Sequence, residues 1–278
     1  MMTALLEKHD IDSPYMITRD HIQFYRKNGY IKLKDVLSEG VLEFYGREIT
    51  NKVIELNTQD TPMEERTTYN QAFLQVTNIW RESEIVKEFV FGKRLGHIAS
   101  DLMETDGARL YHDQALYKEA GGGFTPWHAD QFYWPLASDK SITVWVPLQE
   151  IPLEMGPVAF SPGSHKLRGG RDMEISDESE EKIQRLLDEQ GFGCDHSRYD
   201  LGEVSFHAGW TYHRAHPNKT DRARQVMTII YIDRDMRLAE PKNDNQVGDR
   251  NGWCPGIEIG EIIDSHLNPV LYSRERDD

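Results

Sequence analysis

The sequence predicts a mainly β fold of the sandwich or jelly-roll kind, carried on a helical N-terminal support. Three observations predict it. Helical patterning dominates up to about residue 105. From about 106 to 235, short runs rich in Val, Ile, Thr, Tyr, Phe and Trp alternate with Gly and Pro, as in "SITVWVPLQEI", "GEVSFHAGW" and "ARQVMTIIYID". Many short β-prone runs punctuated by turn residues mark an antiparallel sandwich or barrel. No linker-like segment separates the two parts, so 1–278 reads as one domain, with a polar, irregular extension over 236–278 that ends in a charged tail.

The elements follow in order. Thr18 can cap a first helix through "RDHIQFYRKN", with Asn28-Gly29 as its stop. "YIKL" alternates like a short strand, and Ser38 can cap a second helix through "VLEFYGREITNKVIEL". "TQDTPMEERTTYN" is polar and reads as a loop; helical patterning resumes from Ser83 to Met103. Within the β region, "ISDESEEKIQRLLDEQG" is an insertion with Ser176 or Asp177 as cap, Ile183, Leu186 and Leu187 on one side, and Gly191 as stop. It reads as a solvated helix, with a lid over the barrel mouth as the alternative.

Composition narrows the function. The formal net charge is −15, which argues against nucleic-acid and anionic-membrane partners. Cys194 and Cys254 have no CxxC spacing, so neither a disulfide scaffold nor a thiolate zinc site is expected. The first residues lack the basic and apolar segments of a secretory signal, and no apolar run is long enough to span a bilayer. A soluble cytoplasmic protein is the expectation.

The chemistry is concentrated in "GGGFTPWHADQFYWPL", residues 121–136. On an extended segment, positions i and i+2 share a face, so His128 and Asp130 aim an imidazole and a carboxylate at one point. Two ligands make a weak metal site, and a third is sought downstream. His213 follows Gly209 and precedes a strand read from about Arg222; His207 in "VSFHAGW" competes with it and otherwise reads as a packed strand residue. Two histidines and one carboxylate on one face make the triad of non-haem Fe(II) oxygenases, which leaves positions for a bidentate co-substrate and dioxygen. A 2-oxo acid needs its far carboxylate held, a task suited to the planar fork of arginine. Arg222 and Arg224 share a strand face, and spacing does not choose between them.

"YHDQALYKEAGGGFTPWHADQFYWP", "VWVPLQEIPLEMGPVAFSPGSHK" and "GEVSFHAGWTYHRAHPNKTDRAR" together resemble the phytanoyl-CoA dioxygenase family of Fe(II)/2-oxoglutarate oxygenases. The similarity runs from about Thr18 to about Asp233, with the blocks in family order. The resemblance implies a double-stranded β-helix (jelly roll, cupin-like) core. It implies Fe(II) on His128, Asp130 and His213, with 2-oxoglutarate and O2 as co-substrates. It selects Arg224 for the 2-oxoglutarate carboxylate, and places Gln114 and Trp145, then Tyr117 and Thr143, around that co-substrate. The chain departs from the family pattern at Arg214, where relatives often carry a small residue, and at "EMGP", which replaces a commoner Asn-Gly turn.

Substrate contacts are expected from Gln131, Tyr133, Trp134 and Arg214. The Phe132-Tyr133-Trp134 row can hold a cationic amine by cation–π attraction, while Arg214, Lys118 and His216 can add positive charge at the mouth. A small polar or zwitterionic metabolite, such as an amine, an amino acid or a phosphonate, satisfies both. Related halogenases lack the carboxylate, so Asp130 favours hydroxylation or desaturation. His112 can face the pocket from its strand or be a structural histidine; His165 reads as a turn residue. The competing functions are a non-oxidative cupin-like metalloenzyme such as an isomerase, and a catalytically silent binding protein on the same scaffold.

Overall fold

The structure, a computed structural model, describes residues 9–274; the charged tail expected to fray extends over 275–278, outside the described residues. Helix α1 (Arg19–Asn28) opens with a reciprocal cap: Thr18 Oγ1 accepts from His21 N, and His21 Nδ1 accepts from Thr18 N. Gly29 ends it at φ 79°, a left-handed value that favours glycine. Strand β1 (Tyr30–Leu33) follows, then helix α2 (Glu39–Leu56), capped by Ser38 Oγ accepting from Val41 N. Helix α2 buries Val41, Leu42, Tyr45, Ile49 and Val53, a stripe at helical spacing. Each fully buried aliphatic such as Ile49 contributes roughly 1.5–3 kcal/mol.

The polar stretch read as a loop contains a short helix, α3 (Thr68–Ala72), started by Thr67. Strand β2 (Leu74–Thr77) follows. The helical stretch expected from Ser83 to Met103 is two helices, α4 (Glu84–Val90) and α5 (Lys93–Met103), separated at Phe91-Gly92.

The β region supplies β3 (Gly107–Tyr117), β4 (Thr125–His128), β5 (Ser141–Pro147), β6 (Val158–Phe160), β7 (Val204–Ala208), β8 (His213–Ala215) and β9 (Val226–Asp233). The inserted helix is α6 (Asp177–Glu189); α7 (Asp244–Trp253) and β10 (Val270–Ser273) complete the order. The larger sheet runs β1-β7-β5-β9-β3-β10, with β2 also paired to β3; the smaller runs β4-β8-β6. All these pairings are antiparallel.

Alternation along the larger sheet decides what faces the site. One face buries Ile142, Val144, Phe206, Ile229 and Tyr231 against the N-terminal helices. The other turns Thr143, Trp145, His207 and Thr228 toward a cavity of about 510 Å³ between the sheets. Because both faces are covered, β9 reads as the nearly continuous apolar run "VMTIIYI".

Helix α6 is not simply solvated. Its Glu180 Oε2 accepts from Trp127 N, Ser179 Oγ donates to Trp127 O, and Gln184 Oε1 accepts from Trp127 Nε1. These side chains satisfy the open edge of β4, and Ile183 and Leu187 pack beside Trp127. The helix is thus an edge cover; the segment before it reaches the cavity through Glu174 and Ile175.

The extension expected to be irregular carries two regular elements among the described residues. Strand β10 pairs with β3, and α7, capped by Asn243, stands against the cavity. The inward positions of α7 are Asn245, Asp249 and Trp253, four residues apart and mostly polar, so hydropathy periodicity does not reveal the helix.

Candidate metal and co-substrate site

Strands β4 and β8 pair so that His128 lies directly opposite His213, with ring centroids 4.1 Å apart. Strand β4 stops at His128, and Asp130 begins a 3₁₀ turn instead of continuing the strand. Ala129 between them is still extended (φ −127°, ψ 127°), so both side chains keep a common direction. One ligand atom from each of His128, Asp130 and His213 lies within 4.8 Å of the others. Asp130 Oδ1 is 3.6 Å from His128 Nε2 and 3.5 Å from His213 Nε2.

The donor set fits a divalent cation. The Nδ1 atoms of His128 and His213 lie 2.7 and 3.0 Å from the carbonyl oxygens of Pro126 and Thr211. A carbonyl accepts only, so each Nδ1 carries the proton and each Nε2 lone pair is free to ligate. Burial alone would raise the Asp130 carboxyl; the hydrogen bond from His207 opposes that and favours the ionised form.

The second oxygen of Asp130 is held from the larger sheet. Thr143 Oγ1 donates to Oδ2 at 3.0 Å, and His207 Nε2 lies 3.0 Å from the same atom. His207 is therefore more than a packed strand residue: it lines the cavity and orients the carboxylate. Strand parity was the available signal, since Ser205 and His207 alternate with the core residues Val204 and Phe206. Thr143, expected beside the co-substrate, lines the cavity but spends its hydroxyl on Asp130.

Arg224 is 2% exposed and reaches the cavity. It precedes β9, which begins at Val226 and not near Arg222, and forms a backbone bridge with Lys118. Its Nη1 donates to Gly156 O at 2.5 Å, its guanidinium lies 5.3 Å from the Trp145 ring centroid, and its Nε has no partner. Gly156 can present that carbonyl because it sits at φ 68°, where a Cβ would come within 2.1 Å of His216 O. Burial pulls the Arg224 guanidinium down to about 9, and no carboxylate pairs with it among the described residues. Lys118 is also buried; burial and neighbouring Arg224 push its ammonium well below the usual lysine range. Arg224 alone reaches the cavity, and a buried guanidinium with no acidic partner among the described residues can seat an anion.

Other expected positions separate. Gln114 and Trp145 line the cavity, as do Tyr133, Trp134 and Arg214. Tyr117 does not: it lies on the opposite face of β3 from Gln114, packs in the helical core, and shares a hydrogen bond with Thr50. Odd and even positions of a strand face opposite ways, and that parity separates the two residues. Gln131 is buried away from the cavity, donating to Ser138 O and accepting from Ser141 Oγ. Phe132 lies under α7, where its carbonyl accepts from Gln246 Nε2. Arg214 pairs with the half-buried Glu180 at 2.7 Å, so its charge is already engaged. Lys118 and His216, expected at the mouth, do not line the cavity, nor does His165, whereas His112 does. Sequence reasoning missed Tyr69 and Gln75 on one wall and Asn245, Asp249 and Trp253 on another.

The profile of the phytanoyl-CoA dioxygenase (PhyH) family matches residues 25–226. The chain belongs to the phytanoyl-CoA dioxygenase family. It is 23% identical over 236 residues to the 1-deoxypentalenic acid 11-beta-hydroxylase of Streptomyces exfoliatus, covering 78% of this chain and 81% of that one. It is 26% identical over 133 residues to a probable alpha-ketoglutarate-dependent hypophosphite dioxygenase of Stutzerimonas stutzeri; that match covers 45% of this chain and 46%, about half, of the relative.

Solved structures share the fold. The non-haem alpha-ketoglutarate-dependent carbocyclase SnoK of nogalamycin biosynthesis superposes with a TM-score of 0.74 at 23% identity, covering 93% of this chain and 99% of that one. The epimerase SnoN, solved with Fe3+, alpha-ketoglutarate and nogalamycin RO, gives 0.74 at 22% identity over 97% of this chain and 99% of its own. The two sheets thus form the jelly roll of this oxygenase family, and the chain is an enzyme of the Fe/2-oxoglutarate oxygenase superfamily. No helix among the described residues is long and apolar enough to cross a membrane.

Proposed function

We propose that this protein is an Fe(II)- and 2-oxoglutarate-dependent dioxygenase that hydroxylates a small polar or zwitterionic molecule. One observation carries the reading: the convergent His128, Asp130 and His213 share a cavity with a buried arginine that has no carboxylate partner. His128, Asp130 and His213 would hold Fe(II). Arg224 would take the far carboxylate of 2-oxoglutarate, against the walls made by Gln114 and Trp145. The metal, when bound, supplies dioxygen activation coupled to oxidative decarboxylation of 2-oxoglutarate to succinate and CO2.

The chain's own residues supply orientation and exclusion of water. The carbonyls of Pro126 and Thr211 fix the tautomers of the two histidines. Thr143 and His207 fix Asp130, leaving Oδ1 toward the histidines. Tyr69, Tyr133, Trp134 and Trp253 enclose the side of the cavity where a substrate would lie.

The relatives' names divide between hydroxylase, carbocyclase and epimerase, so the outcome of the oxidation is the finer question. The test is a succinate-release screen over small amines, amino acids, phosphonates and acyl-CoAs, followed by mass analysis of the product. Hydroxylation adds one oxygen atom to the substrate. A product of unchanged mass, or one lighter by two hydrogens, would replace hydroxylation by epimerisation or ring closure. Turnover of a substrate without 2-oxoglutarate would instead favour a non-oxidative metalloenzyme.

A further inference from the structure

The cavity wall that includes α7 has chemistry of its own. Asp249 projects into it, accepting from Tyr111 OH at 2.7 Å on Oδ2 and from Trp253 Nε1 at 2.9 Å on Oδ1. A carboxylate has about four acceptor positions, so two remain for a ligand. Glu174 reaches the same cavity, and its Oε2 accepts from Asn245 Nδ2 at 3.2 Å. Neither acid has an ion-pair partner among the described residues. Trp253 bonds Asp249, Trp134 packs edge-on to Tyr111, which bonds Asp249 too, and Tyr133 bonds Ile175 N beside the exposed Glu174. His112 borders the same wall: it is 5% exposed and lines the cavity between Trp134 and Trp253.

Uncompensated carboxylates among aromatic faces select cations, because ring quadrupole and carboxylate attract the same charge. Hydrogen bonds hold the acids in place. Trp253 fixes Asp249 within α7, and Asn245 of the same helix holds Glu174 of the segment before α6. Ile175 N, next to Glu174, donates to Tyr133 OH at 2.8 Å. The cationic side chains nearby are committed elsewhere, Arg214 to Glu180 and Arg250 toward Glu258. Burial without a cation pushes the Asp249 carboxyl up to about 7, a cost that an incoming ammonium would relieve.

We infer that this wall is an ammonium seat: the substrate carries a cationic nitrogen that Asp249 holds beside Trp134 and Trp253, with Glu174 as a second acidic contact. The inference rests on the oxygenase reading for the direction of the substrate, since the seat and the His128–Asp130–His213 cluster border one cavity. It narrows the substrate from polar molecules in general to amines, quaternary ammonium compounds and amino acids. It removes phosphonates and acyl-CoAs that lack a cationic group.

The test is anaerobic calorimetry on protein loaded with Fe(II) and 2-oxoglutarate, comparing choline with its neutral isostere 3,3-dimethylbutan-1-ol. Choline is expected to bind about tenfold more tightly than the alcohol. Asp249→Asn should remove most of that preference, and Glu174→Gln part of it, with the alcohol's affinity unchanged in both. Equal binding of choline and the alcohol by the unaltered protein overturns the seat without recourse to any variant. So does an undiminished preference in a folded Asp249→Asn protein. The visible charge-transfer band formed on adding 2-oxoglutarate separates the two readings. A band without cation preference sinks the seat alone; cation preference without a band sinks the oxygenase assignment and leaves the seat standing.

Discussion

His207 places its Nε2 3.0 Å from Oδ2 of Asp130, the carboxylate oxygen turned away from His128 and His213. An ionised carboxylate has no proton to give, so His207 is the donor. Thr143 donates to the same oxygen. The two residues leave Oδ1 to the metal and hold its direction. Partners of this kind typically contribute ten- to hundredfold to metal affinity. His207→Ala and Thr143→Val are each expected to lower Fe(II) affinity by roughly that factor while leaving the three ligand side chains in place, as measured by competition with a chelating dye. The double variant should lose less than the product of the single losses, because both act on one atom.

Arg224 has a different burden. Its guanidinium is buried with Gly156 O and the Trp145 face as company and with no carboxylate among the described residues. Arg224→Leu is expected to weaken 2-oxoglutarate binding on the order of a hundredfold, the scale of a lost buried charge pair. Fe(II) affinity should be nearly unchanged. Arg224→Lys should recover only part of the loss, since an ammonium cannot reproduce the planar fork. Equilibrium titration with 2-oxoglutarate at saturating metal reads both effects.

The far face of β3 gives a prediction about stability. Asp113 Oδ1 accepts from Ile79 N at 3.0 Å, while Oδ2 is buried without a partner. Burial pushes the carboxyl from its ordinary 3.8 up to about 7, against the pull of backbone hydrogen bonds. The folded chain therefore holds this proton more tightly than the unfolded chain does. Asp113's contribution is fully present below about pH 4 and is lost as pH rises through about 7. Asp113→Asn keeps an acceptor for Ile79 and has no proton to lose. It should flatten that part of the stability profile and gain on the order of a few kcal/mol at pH 8. Urea melts at pH 5 and pH 8 check this; an unchanged difference between the two would contradict it.

Much of the fold was legible because its signals are local. Thr18, Ser38 and Ser176 cap where the sequence places caps, and Gly29 stops α1 as expected. The strands follow from β-branched and aromatic runs. The site's metal cluster was legible because His128-x-Asp130 needs only an extended residue between its ends, and Ala129 provides one.

What escaped depends on surroundings. Tyr117 was misplaced although parity along β3 puts it opposite Gln114. Gln131 looked available because it neighbours Asp130, but Ser138 and Ser141 occupy its amide. Helix α7 was missed because a helix lining a polar cavity need not show an apolar stripe. Its inward residues Asn245, Asp249 and Trp253 resemble solvent-facing ones until the cavity is known.

The most direct test of the central claim is anaerobic titration of the Fe(II)-loaded protein with 2-oxoglutarate, followed by visible absorption. The account predicts a weak charge-transfer band that saturates at one equivalent. It also predicts that the band and succinate formation both disappear in Asp130→Ala. No band from the unaltered protein at saturating metal and 2-oxoglutarate, or near-normal turnover by Asp130→Ala, would contradict the assignment of His128, Asp130 and His213 as the iron site.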